Sequence, residues 1–280
     1  MPGDRKKMMA DMQPGTGSPL DYAVTRRDQQ TLDMVKEAIR HKQVLLAYQP
    51  IMQARAQERV AFYEGLIRVL DETGRVIPAG DFINVIENTE TGRQLDTLAL
   101  GLGLRALHEN QDLRLSVNMS ARSIGYRAWN RTLDRWLSRD PTLAERLVLE
   151  ITEGSAMLVP ELVVDFMDRL QIRGICFAMD DFGAGYTALR YFKDFCFDII
   201  KIDRQFIQGV SRCPDNQAMT SALVSIAKHF DMMTVAEFVE TQADADMLVS
   251  LGVDCLQGYL YGAPTTRPHW MVQGRIKQAV

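Results

Sequence analysis

The stretch "LLAYQPIMQARAQERVAFYEGLIRVL" (residues 45–70) contains two runs rich in branched and aromatic side chains, 45–51 and 60–70. Runs of that composition read as β-strands. Only the eight residues "MQARAQER" separate them, too few for the helical crossover that a parallel pair requires, so an antiparallel hairpin is expected. Downstream the texture changes. Strand-like runs recur at 113–120 ("LRLSVNMS"), 147–153 ("LVLEITE"), 175–180 ("ICFAMD"), 199–203 ("IIKID"), 233–240 ("MTVAEFVE") and 255–262 ("CLQGYLYG"). Between them lie amphipathic segments with helical spacing at 94–109, 123–138, 160–172, 216–230 and 241–251. Strands that alternate with helices build a parallel sheet. Eight strands over a chain of this length fit an α/β fold, a modified (β/α)8 TIM-like barrel with one antiparallel strand at its start.

Residues 1–24 are rich in Gly, Pro, Met and charge and read as a flexible leader. Residues 25–280 read as a single barrel domain, its first helix over 28–41 carrying Leu32, Val35 and Ile39 on one face. Of the 280 residues, 46% are hydrophobic and 24% charged, and the formal net charge is −4. That balance gives no reason to expect binding to a nucleic-acid polymer. No apolar run reaches the roughly 18 residues of a membrane span, and no signal-peptide core is present near the start. The expectation is a soluble, cytoplasmic chain without membrane insertion. Cys176, Cys196, Cys213 and Cys255 are scattered without a CxxC pair, and none of the four histidines adjoins an acidic cluster. A metal here would be held by oxygens, which favours magnesium, manganese or calcium over zinc.

The strand-like runs share one irregularity. From the second run onward, each carries a polar residue at or near its carboxyl-terminal part: Glu64, Asn118, Glu150, Asp180, Lys201, Glu237 and Gln257. An isolated acid in a strand has a bland explanation as a salt-bridged or edge position. Seven in successive strands do not, because unpartnered buried charge is costly. In a parallel barrel these ends converge on one mouth. Alternation puts Ser116 with Asn118 and Lys201 with Asp203, leaving Ile200 and Ile202 to face the helices. Clustered carboxylates cannot all stay ionised without cations. Glu64, Asn118, Glu150 and Asp180 would make an all-oxygen cage for one divalent ion. Asp181 and Glu237 would hold a second beside it, with Asp180 as bridge, an arrangement suited to phosphodiester displacement. Lys201 would then orient water or neutralise transition-state charge; serving only as counter-ion to the acids is equally consistent with the spacing.

"FAMDDFGAGY" (177–186) sharpens the problem. Neighbouring residues of a regular strand face opposite ways, yet Asp180 and Asp181 are both wanted at one site. The expectation is that the strand ends at Asp180 and that a loop made flexible by Gly183 and Gly185 swings Asp181 inward.

These residues resemble the EAL-domain family of bacterial cyclic di-GMP phosphodiesterases over about residues 30–267. The resemblance is carried by "YQPI" (48–51), "YEGLIR" (63–68), "VIPAGDFI" (76–83), "SVNMS" (116–120), "LEITE" (149–153), "DDFGAGY" (180–186), "IKID" (200–203), "VAEFVET" (235–241) and "LQGYLYGAP" (256–264). It implies a barrel with one antiparallel strand and hydrolysis of cyclic di-GMP to linear pGpG with two Mg2+ or Mn2+ ions. It also implies metal ligation by Glu64, Asn118, Glu150, Asp180, Asp181 and Glu237, and water positioning by Lys201. Glu153 matches the residue that steadies the loop after Asp181. Leu66, Arg68, Asp203, Glu240 and Gln257 match positions lining the substrate pocket. A homodimer through helices and the "DDFGAGY" region is implied, and regulation could come from another polypeptide. Two positions depart from the pattern: Gly65 stands where the family has alanine, and Phe238 where it usually has glycine. The ring of Phe238 either narrows the site beside Glu237 or, having opposite parity, points to the helices. The alternative to an enzyme is a catalytically weak or inactive EAL domain that acts as a cyclic di-GMP receptor or protein-interaction module.

Overall fold

The computed structural model of the chain describes residues 18–184 and 193–271. Its first helix, Pro19–Arg40, starts earlier than the sequence suggested. Ser18 caps it: the Ser18 hydroxyl accepts from the Asp21 N–H at 3.2 Å and the Asp21 carboxylate accepts from the Ser18 N–H at 2.8 Å. This reciprocal pair satisfies two otherwise orphaned donors. Residues 19–24, expected in the leader, are therefore helical; residues 1–17 lie outside the described residues.

The hairpin of β1 (Val44–Gln53) and β2 (Ala56–Leu70) forms as expected, with Gln49 opposite Glu64 and Tyr48 opposite Gly65. Its turn is shorter than the eight residues read from sequence, because both strands run on past their apolar stretches to Ala54 and Arg55. Then come β3 (Val76–Pro78), β4 (Leu115–Asn118), β5 (Leu147–Thr152), β6 (Cys176–Phe182), β7 (Ile199–Ile202), β8 (Met233–Ala236) and β9 (Cys255–Gln257). The sheet order β1-β9-β8-β7-β6-β5-β4-β2 closes through the β1–β2 pairing into an eight-stranded barrel. β1 is antiparallel to both neighbours, and the remaining ring pairs are parallel. The short β3, missed in the sequence because three residues show no periodicity, lies antiparallel on the outer edge of β2.

The helices expected around the barrel are present at Glu90–Glu109, Arg127–Arg139, Pro160–Gln171, Pro214–His229 and Gln242–Ser250. Their apolar faces pack on the outward side chains of the strands, among them Leu115, Val117, Phe177 and Ile200, with Trp129 and Phe166 filling the layer. Strand parity then fixes what enters the barrel. Inside, Ile51, Phe62, Val148, Ala178, Ile199, Val235 and Cys255 form a separate apolar cluster. Two residues along each of those strands stand Gln49, Glu64, Glu150, Asp180, Lys201, Glu237 and Gln257. The interior is thus layered, an apolar plug at one end and polar groups stacked above it toward the carboxyl ends of the parallel strands. The four cysteines are free thiols. Among the described residues no helix is long and apolar enough to cross a membrane.

Candidate active site

Lys201 lies at the centre of the polar layer, 1% exposed. Its Nζ is 2.8 Å from Glu237 Oε1, 2.9 Å from Glu150 Oε2, 3.0 Å from Asp180 Oδ1 and 3.2 Å from Glu64 Oε2. Five strands or strand ends are needed to assemble this cluster, so it depends on barrel closure. Glu64 also accepts from Asn118 Nδ2 at 2.8 Å and Gln257 Nε2 at 2.6 Å. Gln257 in turn donates to Gln49 Oε1 at 3.1 Å, a buried partner that sequence reading did not single out. Lone polar positions in successive strands were the usable signal, and Gln49 was hidden inside the "YQPI" motif.

Asp181 reaches the same place by a different route from the one expected. The strand does not stop at Asp180; β6 continues through Phe182. Its ladder to β7 pairs Met179 with Ile200 and next Phe182 with Ile202, so a bulge absorbs the extra residue. Asp181 takes a left-handed backbone, φ 55°, which Asp tolerates better than most side chains. A bulge resets strand parity, and the adjacent carboxylates come to one side. Asp180, Asp181 and Glu237 each offer an oxygen within 4.8 Å of the others.

Gly183 holds the end of the bulge. Its φ is 91°, and a Cβ there would lie 2.5 Å from the Phe206 ring. Its N–H donates to Glu153 Oε2 at 3.0 Å, and its carbonyl accepts from Gln205 Nε2 at 2.7 Å. Glu153 thus hydrogen-bonds the turn after Asp181, and Gln205 is a second clamp that no motif flagged. Gly185 and Tyr186 of the same motif lie outside the described residues.

A cavity of about 440 Å3 opens above the cluster. Asp180, Asp181 and Glu237 form its floor, with Leu66, Arg68, Glu240 and Gln257 on its walls. Asn118, Glu150 and Lys201 are not part of the lining, and of these Glu150 and Lys201 are fully buried. Asp203, expected among the wall residues, is not one of them. Its carboxylate accepts from the Gln205 N–H at 2.9 Å and caps the short helix Arg204–Ile207. It stands one residue past β7 and remains close enough to Asp181 to raise that carboxyl.

The two departures from the family pattern differ in consequence. An alanine methyl at 65 would sit 3.2 Å from the Ser116 carbonyl and 3.3 Å from Leu46, close but without displacing Glu64. Phe238 is 45% exposed and lines the cavity. Strand parity does not decide its direction, because β8 ends at Ala236; the ring borders the cavity and also lies against Arg204 of the helix Arg204–Ile207.

Charge crowding shows in the proton affinities. Burial, reinforced by Glu64 and opposed by Lys201, pushes the Glu150 carboxyl up to about 8. Burial and the neighbouring Asp180 and Asp203 raise Asp181 to about 6. Glu237 is raised well above the usual carboxylate range by burial, against the pull of Lys201. Glu64 goes the other way: burial opposes its charge, but Lys201, Gln257 and Asn118 outweigh it. Burial disfavours the Lys201 charge too, yet the surrounding acids hold the ammonium well above its ordinary value.

The residues fit a hard divalent cation. The donors are oxygens, and Glu150 Oε1 and Asp180 Oδ1 are buried without a hydrogen-bond partner. Asp180 Oδ1 feels Lys201 by charge at 3.0 Å, outside hydrogen-bonding geometry. A stability test follows. Glu150 and Asp181 bind protons more tightly folded than unfolded, where values near 4.5 and 3.8 apply. Metal-free stability is therefore expected to fall as pH rises from about 5 to 8. Glu64 has the opposite sign, but its contribution is lost only as pH falls below the ordinary glutamate value. Thermal melts in EDTA should show the decline, with a shallower slope in Glu150→Gln. Mg2+ or Mn2+ should restore more at pH 8 than at pH 5. A melting temperature rising over that window, or a metal effect independent of pH, would contradict the crowded-carboxylate reading.

The family model of the EAL domain matches residues 32–264. The bifunctional diguanylate cyclase/cyclic di-GMP phosphodiesterase MucR of Pseudomonas aeruginosa is 30% identical over 240 residues, covering 84% of this chain and 35% of MucR. The probable cyclic di-GMP phosphodiesterase PdeN of Escherichia coli is 31% identical over 235 residues, covering 82% of this chain and 45% of PdeN. The chain spans about a third of the length of the first such relatives. Among solved structures, the PaMucR phosphodiesterase in complex with c-di-GMP superposes with a TM-score of 0.74 at 29% identity, covering 87% of this chain and 99% of that one. The EAL enzyme Bd1971, bound to cAMP and cyclic di-GMP, gives 0.75 at 26% identity, covering 93% and 69%.

Proposed function

The chain belongs to the EAL domain family, and on that premise we propose that it is a metal-dependent phosphodiesterase hydrolysing cyclic di-GMP to linear pGpG. The observation that carries the proposal is the convergence of Glu64, Glu150, Asp180 and Glu237 on Lys201 at the carboxyl ends of the barrel strands. Such a density of buried acids serves no packing purpose and suits binding of cations.

Glu64, Asn118, Glu150 and Asp180 would hold one ion, and Asp180, Asp181 and Glu237 the other. Two bound Mg2+ or Mn2+ ions would supply Lewis acidity toward the phosphodiester and increase the acidity of water near neutral pH. The chain's own residues set the rest. The Lys201 ammonium carries donors to the floor of the cavity, where it orients the attacking water and balances charge that develops on the phosphoryl oxygens. Arg68, half-buried in the wall, offers its guanidinium to a substrate phosphate. Leu66 gives a guanine an apolar surface, and Glu240 and Gln257 add polar contacts. Glu153 and Gln205 fix the turn that aims Asp181. Water adds to phosphorus as one P–O ester bond of the ring breaks, which leaves a linear dinucleotide with a terminal phosphate.

Purified protein with Mg2+ or Mn2+ is expected to convert cyclic di-GMP to pGpG, resolved by chromatography, with no conversion in EDTA. Binding of cyclic di-GMP without turnover under either metal would overturn the enzyme and establish a receptor in its place.

A further inference from the structure

Four described non-glycine residues have positive φ, and two of them, Asp181 and Phe238, border the candidate active site. Phe238, with φ 53°, is the less expected, since a bulky side chain in the left-handed region is a genuine outlier. The backbone imposes it. The Glu237 N–H is tied to the Ile202 carbonyl at 3.3 Å and the Val239 N–H to the Gln257 carbonyl at 2.9 Å. Gly258 packs so closely on Val239 that a Cβ there would lie 2.0 Å from the Val239 carbonyl oxygen. Between these fixed points the chain must reverse at residue 238, where glycine would carry no strain.

Burial does not compensate for the ring. Val239 is fully buried, but Phe238 keeps 45% of its surface exposed. The Arg204 guanidinium lies 5.6 Å from the ring centroid, and Arg204 is not part of the cavity lining, whereas Phe238 is. The ring is thus braced by a cation and still borders the cavity beside Glu237. Strain kept at a site without a gain in packing points to a role there. An exposed aromatic beside a nucleotide pocket has one such role, since every base presents a face on which an aromatic ring can stack.

We propose that Phe238 is a substrate-contacting residue that stacks on a purine base of the bound cyclic dinucleotide, with Arg204 as its brace. This rests on the reading of the cavity as a cyclic di-GMP site. The test compares wild type with Phe238→Leu, Phe238→Gly and Phe238→Tyr, by KM and kcat for cyclic di-GMP with Mg2+ and by calorimetric Kd with EDTA. Phe238→Leu and Phe238→Gly are expected to raise KM and Kd about tenfold, while Phe238→Tyr stays within about twofold because it keeps the ring. Phe238→Gly should melt no lower than wild type, since it relieves the backbone, which separates lost stacking from lost folding. A higher kcat at unchanged KM in Phe238→Gly would overturn stacking and mark the ring as an obstruction beside Glu237. Wild-type KM and Kd in both ring-deleting variants would overturn stacking while leaving the site assignment standing. A wild-type protein that neither binds nor hydrolyses cyclic di-GMP would overturn both.

Discussion

Lys201→Met is expected to abolish turnover of cyclic di-GMP and to destabilise the metal-free protein by about 3 kcal/mol. The ammonium is buried and within 3.2 Å of four carboxylates. Methionine fills a similar volume without charge, so the variant isolates electrostatics from packing. Removing one partner of a buried ion pair typically costs about 3–5 kcal/mol because the other charge is left uncompensated. The lower end applies here. Burial already raises Glu150 and Glu237 above the ordinary carboxylate range, and losing the lysine pushes both further toward the protonated form. Two measurements make the case. Thermal melts in EDTA should place Lys201→Met well below wild type, and Mg2+ or Mn2+ should recover more of the loss in the variant, since cations replace the missing charge. Turnover should stay absent even where the melting temperature is restored, because the donor to the attacking water is gone. A variant that melts like wild type would show that the carboxylates do not need Lys201. A variant that hydrolyses substrate at wild-type rate would remove Lys201 from the chemistry.

The division of labour in the barrel was legible from strand parity alone. Lys201 and Asp203 alternate with Ile200 and Ile202, and that pattern pointed to polar side chains converging at one mouth; the apolar plug beneath them emerges only from the structure. The first hairpin was legible for a similar reason, since eight residues cannot hold a crossover helix. Parity failed where the backbone left regular geometry. Asp181 turns inward through a bulge with φ 55°, and Phe238, with φ 53°, comes to line the cavity; neither dihedral is signalled by the residue type. Asp203 also caps the helix that follows β7, a local hydrogen bond that strand alternation does not register. Gln49 and Gln205 were overlooked because a neutral amide stands out only when its partners are known. The capping box at Ser18 and Asp21 was legible in principle, but the surrounding Gly and Pro masked it.

Glu64→Gln is expected to lower turnover by about a thousandfold or more while leaving the fold intact. Glu64 is 4% exposed, yet it is the carboxylate of the cluster held below its ordinary proton affinity despite burial. Lys201 provides the charge, and Gln257 and Asn118 donate at 2.6 and 2.8 Å. The group is therefore ionised over the whole working pH range, unlike Glu150, and its orientation is fixed from three sides. Glutamine conserves volume and retains an amide oxygen that can accept from Asn118 or Gln257, so large structural damage is not expected. What it removes is the negative charge that a cation requires, and it turns an NH2 group toward the Lys201 ammonium or Gln257. Alanine would be the poorer variant, because it strands both amide donors in a buried site. The expected signature is a collapse of kcat, a weaker melting response to Mg2+ or Mn2+, and cyclic di-GMP affinity in EDTA within a few-fold of wild type, since Arg68 and Leu66 are untouched. Turnover at wild-type rate in Glu64→Gln would remove Glu64 from the proposed metal site. Loss of cyclic di-GMP affinity equal to the loss of turnover would make it a substrate-binding group instead.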